Sequence, residues 1–234
     1  MTPDRLAQLA TLSTPHLADG CLRTKTPVRC APAGTRPLDP LMRCAGRVRP
    51  VRHVGSIDIY FEALEAAQPG DVLVVDNGGR LDEACVGDIV ALEAQQAGIA
   101  GIVIWGLHRD ASELRALGLP LFSLGGLPTG PQRLDPRPED AFEAATVGAH
   151  RLGTGDIAVA DANGVLFLPE DRLPEILEAA AGIRDTELRQ LAAMRAGRSF
   201  RTQVRLPEYV ARRRQDPGYG FRQHIREIQA AGEE

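Results

Sequence analysis

Two short runs that are apolar throughout constrain the fold more than any other feature: Asp71-Val72-Leu73-Val74-Val75-Asp76 and Ile99-Ala100-Gly101-Ile102-Val103-Ile104. Neither alternates polar with apolar residues, so each predicts a short strand buried on both faces. Between them, Ala84 to Ala97 has helical character and stops at Gly98, which suits a C-terminal cap. The three pieces make a strand-helix-strand unit, expected to cross over with a right hand. A turn at Asn77-Gly78-Gly79 follows the first strand, but the G-x-G-x-x-G spacing of a dinucleotide site is missing.

The flanking sequence fills out an α/β chain. Residues 4–12 form an amphipathic pattern, and Ser13-Thr14-Pro15 supplies a cap and an N1 proline for a second helix. Residues 27–41 hold four prolines and predict a loop; Cys44 to Arg52 alternates as a strand with arginines outward; Asp58 to Ala67 predicts a helix. Ser112 to Leu117 is a short helix stopped by Gly118, and Leu121-Phe122-Ser123 a strand. Residues 125–140 predict a long loop, functional or mobile. Thr146 to His150 and Ile157 to Ala160 read as strands, and Asn163-Gly164 marks a hairpin into Val165 to Leu168. Glu170 to Met194 is helical. The Arg-rich segment from about residue 205 to 234 carries few apolar positions and is expected to pack on the body or on a neighbouring subunit.

Composition excludes several classes of function. A net charge of −4 disfavours a general nucleic-acid binder, which needs a basic field, and Arg212-Arg213-Arg214 reads as a solvated helix face. No apolar run reaches the length of a membrane span, and Met1-Thr2-Pro3-Asp4-Arg5 lacks the layout of a secretion signal, so a cytoplasmic location is expected. Cysteines 21, 30, 44 and 85 and histidines 16, 53, 108, 150 and 224 show no metal-ligand spacing. The cysteines read as reduced and mostly buried. Lys25 is the single lysine, set in a Thr-Lys-Thr-Pro loop, which disfavours imine chemistry.

Chemistry concentrates between Gly87 and Asp110. A helix opening near Gly87-Asp88-Ile89-Val90 would present free amides and a positive dipole end to an anion, with Gly87 allowing close approach. Arg109 offers a fork for a carboxylate, and Asp88 and Asp110 offer hard oxygen donors. The competing structural readings are an ordinary helix entry at Asp88 and a capping box at Asp110-Ala111-Ser112-Glu113. Both segments follow strands of a sheet, the edge where α/β proteins bind ligands.

These blocks carry a resemblance. Gly70 to Asp76, Gly87-Asp88-Ile89-Val90, Gly101 to Asp110 and Gly155 to Val165 resemble the RraA-like family. That family includes class II 4-hydroxy-4-methyl-2-oxoglutarate/4-carboxy-4-hydroxy-2-oxoadipate aldolases and the regulator of ribonuclease E activity. The resemblance covers roughly residues 5–200. It implies a compact β/β/α swivelling-type domain, placed here at residues 1–204, with a C-terminal helical extension at 205–234. It also implies homotrimers or hexamers with sites between subunits.

By the same resemblance, the activity would be divalent-metal-dependent cleavage of a C–C bond in a pyruvyl-containing keto-acid, with oxaloacetate decarboxylation through the same enolate. Arg109 would hold the keto-acid and stabilise the enolate, and Asp110 would hold Mg²⁺ or Mn²⁺. Asp88 would orient water at the metal, and the amides of Gly87, Asp88, Ile89 and Val90 would bind the pyruvyl carboxylate. Glu187, or else Asp185, would be the acidic residue that the family draws from a neighbour's C-terminal helix for proton transfer. The chain departs from the aldolases in one place: Trp105-Gly106 stands where they carry Asp-Gly, putting a bulky group near the expected pocket. The alternative is a non-catalytic binding protein that regulates a ribonuclease or another partner. A methyltransferase is disfavoured because no glycine-rich loop of the required form follows a strand.

Overall fold

A computed structural model describes residues 2–230, in two compact units that divide between Ala181 and Gly182. The first unit contains α1 (Pro3–Ala10), α2 (Thr14–Arg23), β1 (Arg29–Cys30), β2 (Arg36–Pro37), β3 (Cys44–Arg52), α3 (Asp58–Glu65) and β4 (Val72–Asp76). It continues with β5 (Ala84–Val86), α4 (Asp88–Gln96), β6 (Gly101–Trp105), β7 (Leu107–His108), α5 (Ala111–Leu117) and β8 (Leu121–Ser123). The hairpins β9 (Ala144–Val147)/β10 (His150–Gly153) and β11 (Asp156–Asp161)/β12 (Gly164–Pro169) follow, then α6 (Leu173–Arg195), which runs on into the second unit.

The main sheet has eight strands in the order β1-β12-β11-β3-β4-β6-β8-β2, with β3, β4, β6 and β8 parallel and the outer strands antiparallel. Its central strands are buried on both faces, and the two-residue period sends alternate side chains into different cores. Leu73 and Val75 join Ile102, Ile104 and Leu121 under α3, α4 and α5. Val72 and Val74 join Val103 and Phe122 against Ala145, Val147 and Leu152 of the β9-β10 hairpin. Hairpin, sheet and helices thus stack as β/β/α. A third cluster packs α1, α2 and α6 on Ile157, Val159, Leu166 and Leu168 of β11 and β12.

Several expected boundaries change. Ala84 to Ala97 is not one helix: its first three residues form β5, and Gly87 caps a helix that starts at Asp88. The reason is tertiary, since β5 finds a parallel partner in β7, with Ala84 against Leu107 and Val86 against His108, and its three residues are buried there. The far end of the helix is as expected, with Gly98 at φ +79° and its N–H donating to Gln95 O while Ile99 N–H donates to Ala94 O. Thr146 to His150 is split by a turn at Gly148 (φ +60°) into β9 and β10. The proline-rich stretch 27–41 contributes two-residue strands at both edges of the sheet.

Within the second unit lie α7 (Phe200–Gln203), α8 (Leu206–Gln215) and α9 (Phe221–Ala230). Few aliphatic residues are available, and aromatic rings take their place. Tyr209 packs edge-on to Phe221 at 5.1 Å, and buried His224 donates through Nε2 to Val204 O at 2.8 Å. Arg212 stacks on Tyr219 at 4.4 Å, while Arg213 and Arg214 are exposed. Among the described residues, no helix is long and apolar enough to cross a membrane.

Candidate active site

The site is built where β5 and β7 end side by side. These two strands pair in parallel outside the main sheet, so Gly87 and Arg109 leave neighbouring strands at the same edge. The Arg109 N–H donates to Val86 O at 2.9 Å and fixes the two exits together. Gly87 is extended (φ −130°), so backbone strain does not select glycine here. Space does: a Cβ on Gly87 would lie 2.4 Å from Asp110 Oδ2 and 3.2 Å from Arg109 Nε.

Asp110 adopts the left-handed conformation (φ 59°, ψ 43°), which aspartate tolerates better than most residues. Its side chain makes no capping bond to α5, so the expected capping box does not form. The carboxylate turns the other way, with Oδ2 accepting from Asp88 N–H at 3.3 Å and lying 3.5 Å from Arg109 Nε. The terminal nitrogens of Arg109 make no hydrogen bond to protein among the described residues, and its side chain is 48% exposed. The guanidinium also lies beside the long loop, where a Cβ on Gly130 would meet Nη1 at 3.1 Å.

Asp88, Ile89 and Val90 form the first turn of α4, whose amides lie outside the helix's own i→i−4 ladder. Asp88 is turned back on this helix, its Oδ1 accepting from Ile89 N–H at 2.7 Å. Together with Arg109, Tyr60, His53 and Pro131, this turn lines a cleft of about 140 Å³.

Behind His53 in the wall of the cleft lies a polar network that the sequence did not reveal. His53 is buried, stacked on Tyr60 with ring centroids 5.4 Å apart. Its Nδ1 lies 3.0 Å from Asn77 Oδ1, which also accepts from Arg133 Nη2 at 2.9 Å. Arg133 further donates to Glu83 Oε1 through Nε (3.1 Å) and Nη2 (2.9 Å). Burial pushes the His53 imidazole below the usual histidine range, aided by the Arg133 charge, while the Asn77 bond and the Glu83 and Asp135 charges pull the other way.

Of the residues expected at the site, the fold brings together Gly87, Asp88, Ile89, Val90, Arg109 and Asp110. Glu187 and Asp185 lie on α6 in the second unit, Asp185 paired with Arg184 at 2.7 Å. Trp105 does not line the cleft. The alternation of β6 sends Ile104 to the helix side and Trp105 to the hairpin side, where its indole packs over Gly79. Lys25 sits in an exposed left-handed turn (φ 57°) away from the lining residues. Cys44 and Cys85 are buried with thiols pushed up to about 12 by desolvation, and Cys30 is exposed.

Asp110 and Asp88 offer the oxygen donors that a hard divalent cation takes. Among the described residues no group of three or more acidic, imidazole or thiol side chains converges. A magnesium- or manganese-sized ion fits such a set because it keeps most of its waters and needs one or two carboxylates.

The fold and this strand-end site define a class. The chain belongs to the RraA-like family, described as Aldolase/RraA, whose model matches residues 14–167. Over 128 residues it is 35% identical to the 4-hydroxy-4-methyl-2-oxoglutarate aldolase of Thermus thermophilus, covering 55% of this chain and 77% of that protein. Over 127 residues it is 34% identical to protein DlpA of Legionella pneumophila, covering 54% of this chain but only 20% of DlpA. Among solved structures, Streptomyces coelicolor RraAS2, described as an unusual member of the RNase ES inhibitor RraA protein family, superposes with a TM-score of 0.70. It is 28% identical, and the match covers 80% of this chain and 95% of that one.

Proposed function

We propose that the chain is a divalent-metal-dependent lyase that cleaves a C–C bond of a pyruvyl-containing keto-acid, releasing pyruvate, and that also decarboxylates oxaloacetate. The observation that carries this reading is the convergence of Arg109, Asp110 and the first turn of α4 on one strand edge, with Gly87 leaving the space that lets the carboxylate reach the helix. The names of relatives such as the Thermus aldolase support it.

Each residue has a task set by its chemistry. The α4 amides and dipole bind the carboxylate of the keto-acid. Arg109, whose fork is free among the described residues, holds the substrate and the negative charge that develops on its enolate. Asp110 would hold Mg²⁺ or Mn²⁺, with Asp88 orienting water beside it. The ion, when bound, supplies Lewis-acid polarisation of the 2-keto oxygen. Exposed Lys25 offers no competing imine route in this cleft.

The test is oxaloacetate and 4-hydroxy-4-methyl-2-oxoglutarate turnover, followed by pyruvate release with and without Mg²⁺ or Mn²⁺. Activity is expected to need the ion and to fall at least about 10²-fold in Arg109→Ala and Asp110→Ala proteins with native circular dichroism. Activity that persists in both variants would rule the assignment out. The likeness to the RNase ES inhibitor family favours a second reading, a non-catalytic regulator. It predicts a metal-independent, stoichiometric complex with a ribonuclease and no turnover.

A further inference from the structure

His53 is fixed in one tautomer by residues distant in sequence. Arg133 can only donate, so the Asn77 atom it meets at 2.9 Å must be the amide oxygen. That same oxygen lies 3.0 Å from His53 Nδ1, which must therefore carry the proton. In the neutral ring Nε2 is then the bare nitrogen. Nε2 has no protein hydrogen-bond partner among the described residues, and the side chain as a whole is 2% exposed. His53 lines the cleft together with the first turn of α4 and Arg109. The amide nitrogen of Asn77 is itself buried without a partner, so this amide is held by what its oxygen does.

We propose that His53 Nε2 is the base that takes the proton from the hydroxyl of a 4-hydroxy-2-keto-acid bound in this cleft, with Asn77 and Arg133 as positioning residues. The inference rests on the lyase reading above. In the forward step the hydroxyl O–H bond breaks and an Nε2–H bond forms; the C–O becomes C=O as the C3–C4 electron pair passes to the pyruvyl fragment, leaving its enolate. The imidazolium then returns the proton to C3, which yields pyruvate and restores neutral His53. Burial keeps the ring neutral near pH 7, and the groups facing it are Glu83, Arg133, Asp135, Tyr60 and Asn77. Asp88, which also lines the cleft, has its Oδ1 accepting from Ile89 N–H of its own helix.

Oxaloacetate has no hydroxyl proton to lose, which gives the test its selectivity. With the full chain and Mg²⁺, His53→Gln is expected to lower kcat for 4-hydroxy-4-methyl-2-oxoglutarate cleavage by about 10²- to 10⁴-fold. Oxaloacetate decarboxylation should stay within about threefold of wild type, because general-base catalysis has no part in it. Equal loss of both activities, or unchanged cleavage, overturns the role of His53 alone. A wild-type protein inactive on both substrates overturns the lyase reading and the base role together. A readout without turnover is ¹⁵N NMR of the wild-type imidazole at pH 7. A protonated Nδ1 and bare Nε2 are expected, and a protonated Nε2 overturns the proposal even if His53→Gln does not fold.

Discussion

At the scale of single residues, the clearest case is Gly87. Its backbone is extended, so alanine meets no conformational penalty, yet the added Cβ would sit 2.4 Å from Asp110 Oδ2. Gly87→Ala should therefore displace the carboxylate while leaving the fold intact. We expect oxaloacetate turnover to fall about 10²-fold, the cost of misplacing a reacting group by about 1 Å, with little change in Tm. A large drop in Tm with proportionate loss of activity would show that Gly87 serves folding instead. The sequence pointed to this glycine as a place of close approach, but it named the ligand as what approaches. The structure puts Asp110 there. His53 was legible only as a histidine without ligand spacing, because its tautomer depends on Asn77 and Arg133, which lie on a turn and a loop far along the chain.

At the scale of elements, α5 and the long loop show how local patterns are overruled. Asp110-Ala111-Ser112-Glu113 has the order of a capping box, but a left-handed Asp110 turns its carboxylate away from α5 and toward α4. The loop 125–140 has no regular structure, and it is tied down rather than loose. Thr129 O accepts from Ala84 N–H at 2.9 Å, Asp135 N–H donates to Val54 O at 2.8 Å, and Arg133 binds Glu83, Asn77 and Asp135. Glu83 is only 4% exposed, so Arg133→Ala strands a buried carboxylate. We expect a loss of about 3 kcal/mol in urea unfolding, at the low end for breaking a buried pair, because Arg80 remains 3.6 Å from Glu83. Arg137→Ala, whose pairs with Asp58 and Glu62 face solvent, should change the midpoint far less.

At the scale of the whole molecule, Ile57 and Ile89 in the lining of the cleft, and Phe61 of α3 and Leu92 of α4, are more than 40% exposed. Exposed apolar side chains of this kind suit association, and we propose the homotrimer or hexamer that the family resemblance implies. Sedimentation equilibrium should return a mass of three or six copies of the 25.2 kDa chain; a monomer at micromolar concentration would exclude it. The α/β class, the main strands and the candidate site between Gly87 and Asp110 were legible in the sequence alone, because burial period, glycine stops and turn residues act over a few residues. Tertiary structure decided what depends on partners distant in the chain. It drew β5 out of the expected helix to pair with β7, sent Trp105 to the hairpin face, turned Asp110 toward α4 and locked His53 through Asn77 and Arg133. A strand needs a neighbour and a hydrogen bond needs its acceptor, and only folding supplies either.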